Sequence, residues 1–92
     1  MQIESIRHKG LRRLVTKGDR RIIEAERLTD MIAFIAAAVV FDHLSIPPNY
    51  GFHALTGDRA GTYAMTVTKN WRMTFIKVDE QTIADLDLED YH

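Results

Sequence analysis

The sequence contains no cysteine, which excludes a disulfide framework and thiolate chemistry and suits a reducing cytoplasm. Residues 1–5 show no basic segment leading into an apolar run, so we expect no signal peptide. The longest apolar run, residues 31–41, is shorter than the roughly 20 residues needed to span a bilayer. Together these absences predict a cytoplasmic protein with no membrane partner.

Metal and cofactor motifs are also missing. His8, His43, His53 and His92 are scattered, without the spacing of a metal-ligand pair. The glycines near residue 60 bracket a turn and do not precede a helix, which argues against a phosphate-binding loop. No Gly-x-Ser-x-Gly elbow occurs either. We therefore expect no metal and no cofactor.

Lysine and arginine are missing from residue 79 onward, although the net charge of the chain is only −1. The front is basic, carrying Arg7, Lys9, Arg12, Arg13, Lys17, Arg20, Arg21 and Arg27. A basic N-terminal region of this kind can attract phosphates locally, although the net charge of the chain is close to zero. The plainer interpretation is a solvated helical face.

The 92 residues suffice for one domain, residues 1–92. Alternation predicts strands at residues 2–7, 52–56, 62–68, 71–78 and 82–88. Helical spacing of Leu11, Leu14 and Val15 predicts a first helix ending at Gly18. A second should begin between residues 19 and 24 and end near residue 43. Its predicted inward stripe is Leu28, Met31, Ile32, Ile35 and Val39. The predicted fold class is α+β: two helices on one face of a mainly antiparallel four- to five-stranded sheet, in the order βααββββ.

The second helix has more apolar surface than one sheet can cover. Phe34, Ala37, Val40 and Phe41 lie off its inward stripe. Either the loop containing Pro47 and Pro48 folds over this second face, or a partner chain does.

Candidate chemical groups stand at the ends of predicted strands. His53 begins one, Arg72 begins another, and Asp90, Tyr91 and His92 follow the last. If these ends converge on one sheet edge, two imidazoles can serve as base and acid for attack of an RNA 2′-hydroxyl on its phosphate. Arginine can hold the charge of the transition state, and a carboxylate such as Asp90 can orient an imidazole.

Each group also has a plainer interpretation. His53 can be a half-buried packing residue, and Arg72 can stack on the neighbouring Trp71. Residues 90–92 can be a frayed tail. From the residues alone, the ribonuclease hypothesis is the less favoured one.

Three motifs in a fixed order change this balance. They are the stretch at 52–63 that contains His53-Ala54-Leu55-Thr56-Gly57-Asp58, then Asn70-Trp71-Arg72, then Asp90-Tyr91-His92. Together with Ile6-Arg7-His8-Lys9-Gly10-Leu11 at the front, the chain resembles the HigB branch of the RelE toxin superfamily over nearly its whole length.

The resemblance implies a ribosome-dependent mRNA endonuclease of a type II toxin–antitoxin system, with a RelE-like fold. It implies a helix-turn-helix antitoxin (HigA-like) as a partner, and operator DNA would be bound only through this antitoxin. It also implies the 70S ribosome with mRNA as further partners. His53, Asp90, Tyr91 and His92 match the family's catalytic residues, and Arg72 matches its phosphate-binding arginine.

The resemblance has one notable departure. Thr56 stands where relatives often carry lysine, which removes a positive charge from the site. Arg59 and Lys69 are candidates to replace it, and Lys9 of the basic front is a further candidate for RNA binding. Two alternatives stay open: a non-catalytic or attenuated antitoxin-binding or co-repressor module, and a nucleic-acid-binding domain that uses the basic first helix.

Overall fold

Two helices and five strands make up the α+β fold of this computed structural model, which describes residues 1–90. The helices are α1 (Lys9–Lys17) and α2 (Ala25–Ala37). The strands are β1 (Gln2–Ile3), β2 (His53–Ala54), β3 (Thr62–Thr66), β4 (Trp71–Asp79) and β5 (Thr82–Asp90). Short 3-10 helices occupy Phe41–Ser45, Asn49–Gly51 and Gly57–Arg59. Within the described part of the chain, no helix has the length and apolar character to cross a membrane.

The sheet is mixed, with strand order β1-β5-β4-β3-β2. Neighbours from β2 to β5 pair antiparallel, because short connections join them, whereas β1 pairs parallel with β5. The prediction of a mainly antiparallel sheet was therefore wrong. The reason is that both helices separate β1 from the other strands, and a connection of that length allows a strand to enter in parallel beside the last one.

The core lies between the helices and one face of the sheet, called here the helix face. Leu11, Leu28, Met31 and Ile35 of the helices are fully buried. They form one cluster with alternate residues of the two long strands, among them Met73, Phe75, Ile83 and Leu86. Gly18 ends α1 with a φ of 67°, which confirms the predicted left-handed cap.

The second helix ends earlier than predicted. It stops at Ala37, and Ala38 is extended, so the expected end near residue 43 was wrong. The α-amino group of Met1 donates to the carbonyls of Ala36 (2.8 Å) and Ala38 (2.6 Å), groups that a longer helix would use itself. Val39, predicted to point inward, is consequently 66 % exposed.

The loop with the two prolines packs on part of the second apolar face of this region. Phe34 packs edge-on against Tyr50, with ring centroids 5.5 Å apart. Phe41 lies in the same way against Phe52 and Tyr63. Aromatic side chains at and after the loop therefore pack on Phe34 and Phe41 of this surface, whereas Ala37 stays exposed.

Candidate functional site

The face of the sheet that points away from the helices, called here the open face, gathers most of the polar side chains of the strands. Because residues paired across strands point to the same side, His53, Ala64, Thr74 and Asp87 form one row across β2 to β5. The pairs Thr66–Arg72 and Arg72–Glu89 form the next row. His53 and Arg72 thus share this face, with Cα atoms roughly 12 Å apart from strand spacing and rise.

His53 lies at the exposed start of β2 with its ring orientation defined. Its Nδ1 is 2.8 Å from the carbonyl oxygen of Gly51. A carbonyl only accepts hydrogen bonds, so Nδ1 carries a proton and donates it there. In the neutral ring this leaves Nε2 without a proton and able to accept one.

The most elaborate polar contact of the open face centres on Glu89. Arg59 donates to both of its carboxylate oxygens, at 2.9 and 2.6 Å. Arg72 donates through Nη2 to Oε1 at 3.2 Å, and the buried hydroxyl of Thr74 donates to Oε2 at 2.7 Å. Two guanidinium groups and a hydroxyl therefore converge on one anion.

These donors stabilise the charged form of the carboxylate. The hydrogen bonds from Arg59, then from Thr74 and Arg72, lower the pKa of Glu89 to about 2 against the opposing effect of partial burial. The same contact raises the pKa of Arg59 above its already high value. Glu89 and Arg59 consequently both stay charged at neutral pH.

A β-bulge in β5 determines that Glu89 points to the open face. Thr74 pairs with Asp87 and Ile76 with Ala84, so two residues of β5 lie opposite the single residue Phe75. Asp85 in the bulge has a φ of 54°, and its backbone N–H donates to the hydroxyl of Ser5 at 2.8 Å. The extra residue reverses the alternation, turning Leu86 and Leu88 to the core and Asp87 and Glu89 outward.

Sequence reasoning missed Glu89, Thr74 and this bulge. A signal was present in the sequence. The apolar residue Ile83 stands at an odd-numbered position, whereas Leu86 and Leu88 stand at even-numbered positions of the same strand. A change of phase within one strand indicates an inserted residue. Recognising it would have placed Glu89 opposite Arg72, although not beside Arg59.

The other predicted site residues are distributed around this face. Arg59 lies in the 3-10 helix Gly57–Arg59 and reaches the open face through Glu89. Lys69 is exposed in the β3–β4 turn, three residues before Arg72. Lys9 begins α1 in the helical layer, beside Arg12, Arg13 and Lys17 around a shallow depression, so it does not join the open-face group.

Asp90 is the last residue of β5 and pairs with Trp71. Because side chains alternate along a strand, the side chain of Asp90 points to the helix face, opposite to those of Glu89 and Arg72. Its backbone lies at the same end of the sheet as the backbones of these two residues. The predicted catalytic residues Tyr91 and His92 lie outside the described residues.

A second concave feature lies on the helix face. It is a cleft of about 500 Å³ whose lining includes His8, Arg13, Ile22, Trp71 and Leu88. It is larger than a depression on the open face that is lined by Arg59, Asp87 and Glu89 among others. The lining of the cleft does not include His53, Arg59 or Arg72. Trp71 and Arg72 point to opposite faces, so the packing interpretation of Arg72 on Trp71 does not fit the strand geometry.

Potential metal ligands are dispersed in the part of the chain that the structure describes. Among residues 1–90, His, Asp and Glu side chains do not form a group of three or more that could hold an ion. The chemistry that the open face offers is that of an imidazole and two guanidinium groups.

The sequence and the fold are both similar to those of known toxins. Residues 4–92 match the family described as the RelE-like toxin of the type II toxin–antitoxin system HigB. The chain is 37 % identical to the Endoribonuclease HigB of Proteus vulgaris over 93 residues, covering 98 % of this chain and 99 % of that protein. Its fold is similar to that of the YoeB/ParE toxin from Agrobacterium tumefaciens, with a TM-score of 0.56 at 15 % identity and full coverage of both chains.

Proposed function

The chain belongs to the RelE-like toxins of the HigB type II toxin–antitoxin family, and on this premise we propose that it is an endoribonuclease that cuts mRNA on the ribosome. The observation that carries the proposal is the extent of the match. It spans residues 4–92 and so includes the whole open face, at 37 % identity to a protein named as an endoribonuclease.

The proposed reaction uses the RNA's own 2′-hydroxyl. Its oxygen forms a bond to the adjacent phosphorus while the bond from phosphorus to the 5′-oxygen breaks, giving a 2′,3′-cyclic phosphate and a 5′-hydroxyl end. A base takes the 2′ proton and an acid gives a proton to the leaving 5′-oxygen. The nucleophile is already tethered next to the phosphorus, so positioning and charge stabilisation are the protein's main tasks.

His53 is the candidate for one of the two proton transfers. The hydrogen bond from Nδ1 to the carbonyl of Gly51 supports this role, because it fixes the ring and leaves Nε2 for the substrate. Asp90, Tyr91 and His92 are proposed to supply the rest of the catalytic group, on the strength of the family motif.

Arg72 and Arg59 are the proposed phosphate-binding groups. Two guanidinium groups that already converge on a carboxylate have the geometry to hold a phosphate through paired N–H donors. Lys69, at the same end of the sheet, is proposed to add charge along the RNA backbone.

Membership of a type II family implies an antitoxin as partner. We propose a helix-turn-helix antitoxin that neutralises this toxin and through which operator DNA is bound. Co-expression with such a protein is expected to relieve growth arrest.

The direct test is cleavage of a defined mRNA by the purified protein with ribosomes, with and without EDTA. We expect cleavage under both conditions and none without ribosomes. A 2′-deoxy substitution at the scissile nucleotide should block cutting, since it removes the nucleophile. Cutting at the deoxy position would exclude the 2′-hydroxyl mechanism.

A second candidate function is a non-catalytic module that binds its antitoxin without cutting RNA. The observation that favours it is that Glu89 forms ion pairs with both proposed phosphate-binding arginines and so lowers the positive charge available to a phosphate. The same assay separates the two, because a non-catalytic module leaves mRNA intact on ribosomes while still binding the antitoxin.

A further inference from the structure

The carboxylate of Glu89 lies where the proposed function needs a phosphate. It accepts a bidentate pair of hydrogen bonds from Arg59, a third from Arg72 and a fourth from the buried hydroxyl of Thr74. Arginine binds phosphate with this same paired geometry. A glutamate here is unexpected on electrostatic grounds, because it places a negative charge in an anion site.

We propose that Glu89 is a positioning residue that stands in for the phosphate in the free protein, holding Arg59 and Arg72 together until an RNA phosphate displaces it. This inference rests on the proposed function, since it takes the two arginines as the phosphate-binding groups. It adds a residue and an exchange of anions that the reaction itself does not require.

The contacts support an exchange rather than a permanent structural bond. Glu89 retains 22 % side-chain exposure and Arg59 retains 46 %, so an incoming anion can reach both. Arg59 lies in a short 3-10 helix outside the strands, and it touches the site only through its long side chain. Thr74, by contrast, is 2 % exposed and donates from the middle of β4, so it supplies a fixed donor.

The consequence is a low affinity for RNA that arrives alone. A single RNA phosphate must compete for the arginines with a carboxylate of the protein itself. The free-energy cost of this exchange is comparable to that of breaking the ion pairs of Glu89. Additional contacts, such as those supplied by a ribosome, are then needed to complete the exchange. Glu89 would thereby make cutting of free RNA inefficient.

The test uses a three-nucleotide RNA with 2′-O-methyl riboses, which cannot be cut. Its Kd for the wild-type chain and for Glu89→Gln is measured by fluorescence anisotropy at one fixed ionic strength, because phosphate binding depends on salt. We expect Glu89→Gln to bind roughly tenfold more tightly, the effect of removing one nearby unit charge in a partly solvated site.

The matched control is Asp87→Asn. Asp87 is two residues away on the same strand and face, and it lines the same depression, but it accepts a hydrogen bond from the N–H of Leu88 instead of from the arginines. It removes the same charge without opening the anion site, so we expect its Kd to change by less than about threefold. An equal effect in both variants would reduce the result to net charge and overturn the proposal.

A measurement on the wild-type chain covers the case in which Glu89→Gln fails to fold. The pKa of the Glu89 carboxyl is followed by NMR at its side-chain carbon, with and without saturating oligonucleotide. Displacement from the arginines should raise this pKa toward its ordinary value. The proposal is overturned if the pKa of Glu89 does not change on saturation with the oligonucleotide. It is also overturned if a folded Glu89→Gln binds the oligonucleotide no more tightly than wild type, or if neither protein binds it.

Failure of this inference can be told from failure of the proposed function. The oligonucleotide experiment involves no ribosome and no cleavage. Ribosomal cleavage by the wild-type chain with no gain of affinity in Glu89→Gln rejects the role of Glu89 alone. Anion exchange without ribosomal cleavage rejects the endoribonuclease instead.

Discussion

The two faces of the sheet are made from the same strands and differ in almost everything else. On the helix face, residues such as Met73, Phe75 and Leu86 are buried and apolar. On the open face, their neighbours Arg72 and Asp87 are polar and partly exposed. Because side chains alternate along a strand, one short segment can supply stability to one side and chemistry to the other. Substitutions on the two faces should therefore separate folding from activity.

The largest expected effect is on activity, from His53→Ala. His53 is proposed to transfer a proton in the transition state, and removing such a group should lower ribosomal mRNA cleavage by a factor of about 100 to 10,000. The side chain is exposed at a strand end, so the thermal unfolding midpoint should barely change. His43→Ala, an exposed histidine in the 3-10 helix Phe41–Ser45, is the control and should cut normally. Equal activity in both variants would remove His53 from the site.

A comparable effect on stability is expected from Phe75→Ala on the helix face. Phe75 is 1 % exposed and packs against Phe41, Phe52 and Tyr63, so truncation should cost about 3–5 kcal/mol in the free energy of unfolding. Urea denaturation measures it. Val78→Ala on the same strand is the control, because Val78 is 48 % exposed and should change stability by no more than about 0.5 kcal/mol.

A smaller effect is expected from the ion pairs of the open face in acid. The pKa of Glu89 is lowered to about 2, so its stabilisation is fully present above about pH 4.5 and is lost as the pH falls toward 2. Allowing for the exposure of Arg59, we expect a loss of about 1–2 kcal/mol. The measurement is the difference in unfolding free energy between wild type and Glu89→Gln, followed from neutral pH into acid.

The control for this titration is Asp19→Asn. Arg21 also lowers the pKa of Asp19 to about 2, but the two residues are only two positions apart and their ion pair can form in the unfolded chain as well. Its difference from wild type should depend less on pH than that of Glu89→Gln. If the differences in unfolding free energy from wild type decreased equally with pH for Glu89→Gln and Asp19→Asn, Glu89 would contribute no more to folding than a local surface ion pair.

The smallest expected effect comes from Ser5→Ala, which tests how the bulge is held. The Ser5 hydroxyl accepts from the N–H of Asp85, so its loss should cost about 1 kcal/mol. Amide hydrogen exchange at Asp85 should accelerate. In Ser45→Ala, which removes a hydroxyl that donates to the carbonyl of Asp42 within a 3-10 helix, exchange at Asp85 should stay as in wild type. Unchanged exchange in Ser5→Ala would mean that other contacts hold the bulge.

Much of the fold was predictable because it depends on local patterns. Alternation identified the long strands of the hairpin 71–90, and helical spacing with Gly18 identified α1. The errors lie where a distant contact overrides the local pattern. The second helix ends at Ala37, where the amino group of Met1 takes its carbonyls, and β1 joins the sheet in parallel beside β5.

The candidate site shows the same division. By itself the sequence determined the family, through ordered motifs that include His53 and Arg72, and the alternation that gives each strand two chemically different faces. Only the tertiary structure decided that Glu89 meets Arg59, 30 residues earlier in the chain, and that both meet Arg72. The physical reason is that alternation fixes the side of a strand from which a residue points, whereas strand order, register and a one-residue bulge decide what it meets there.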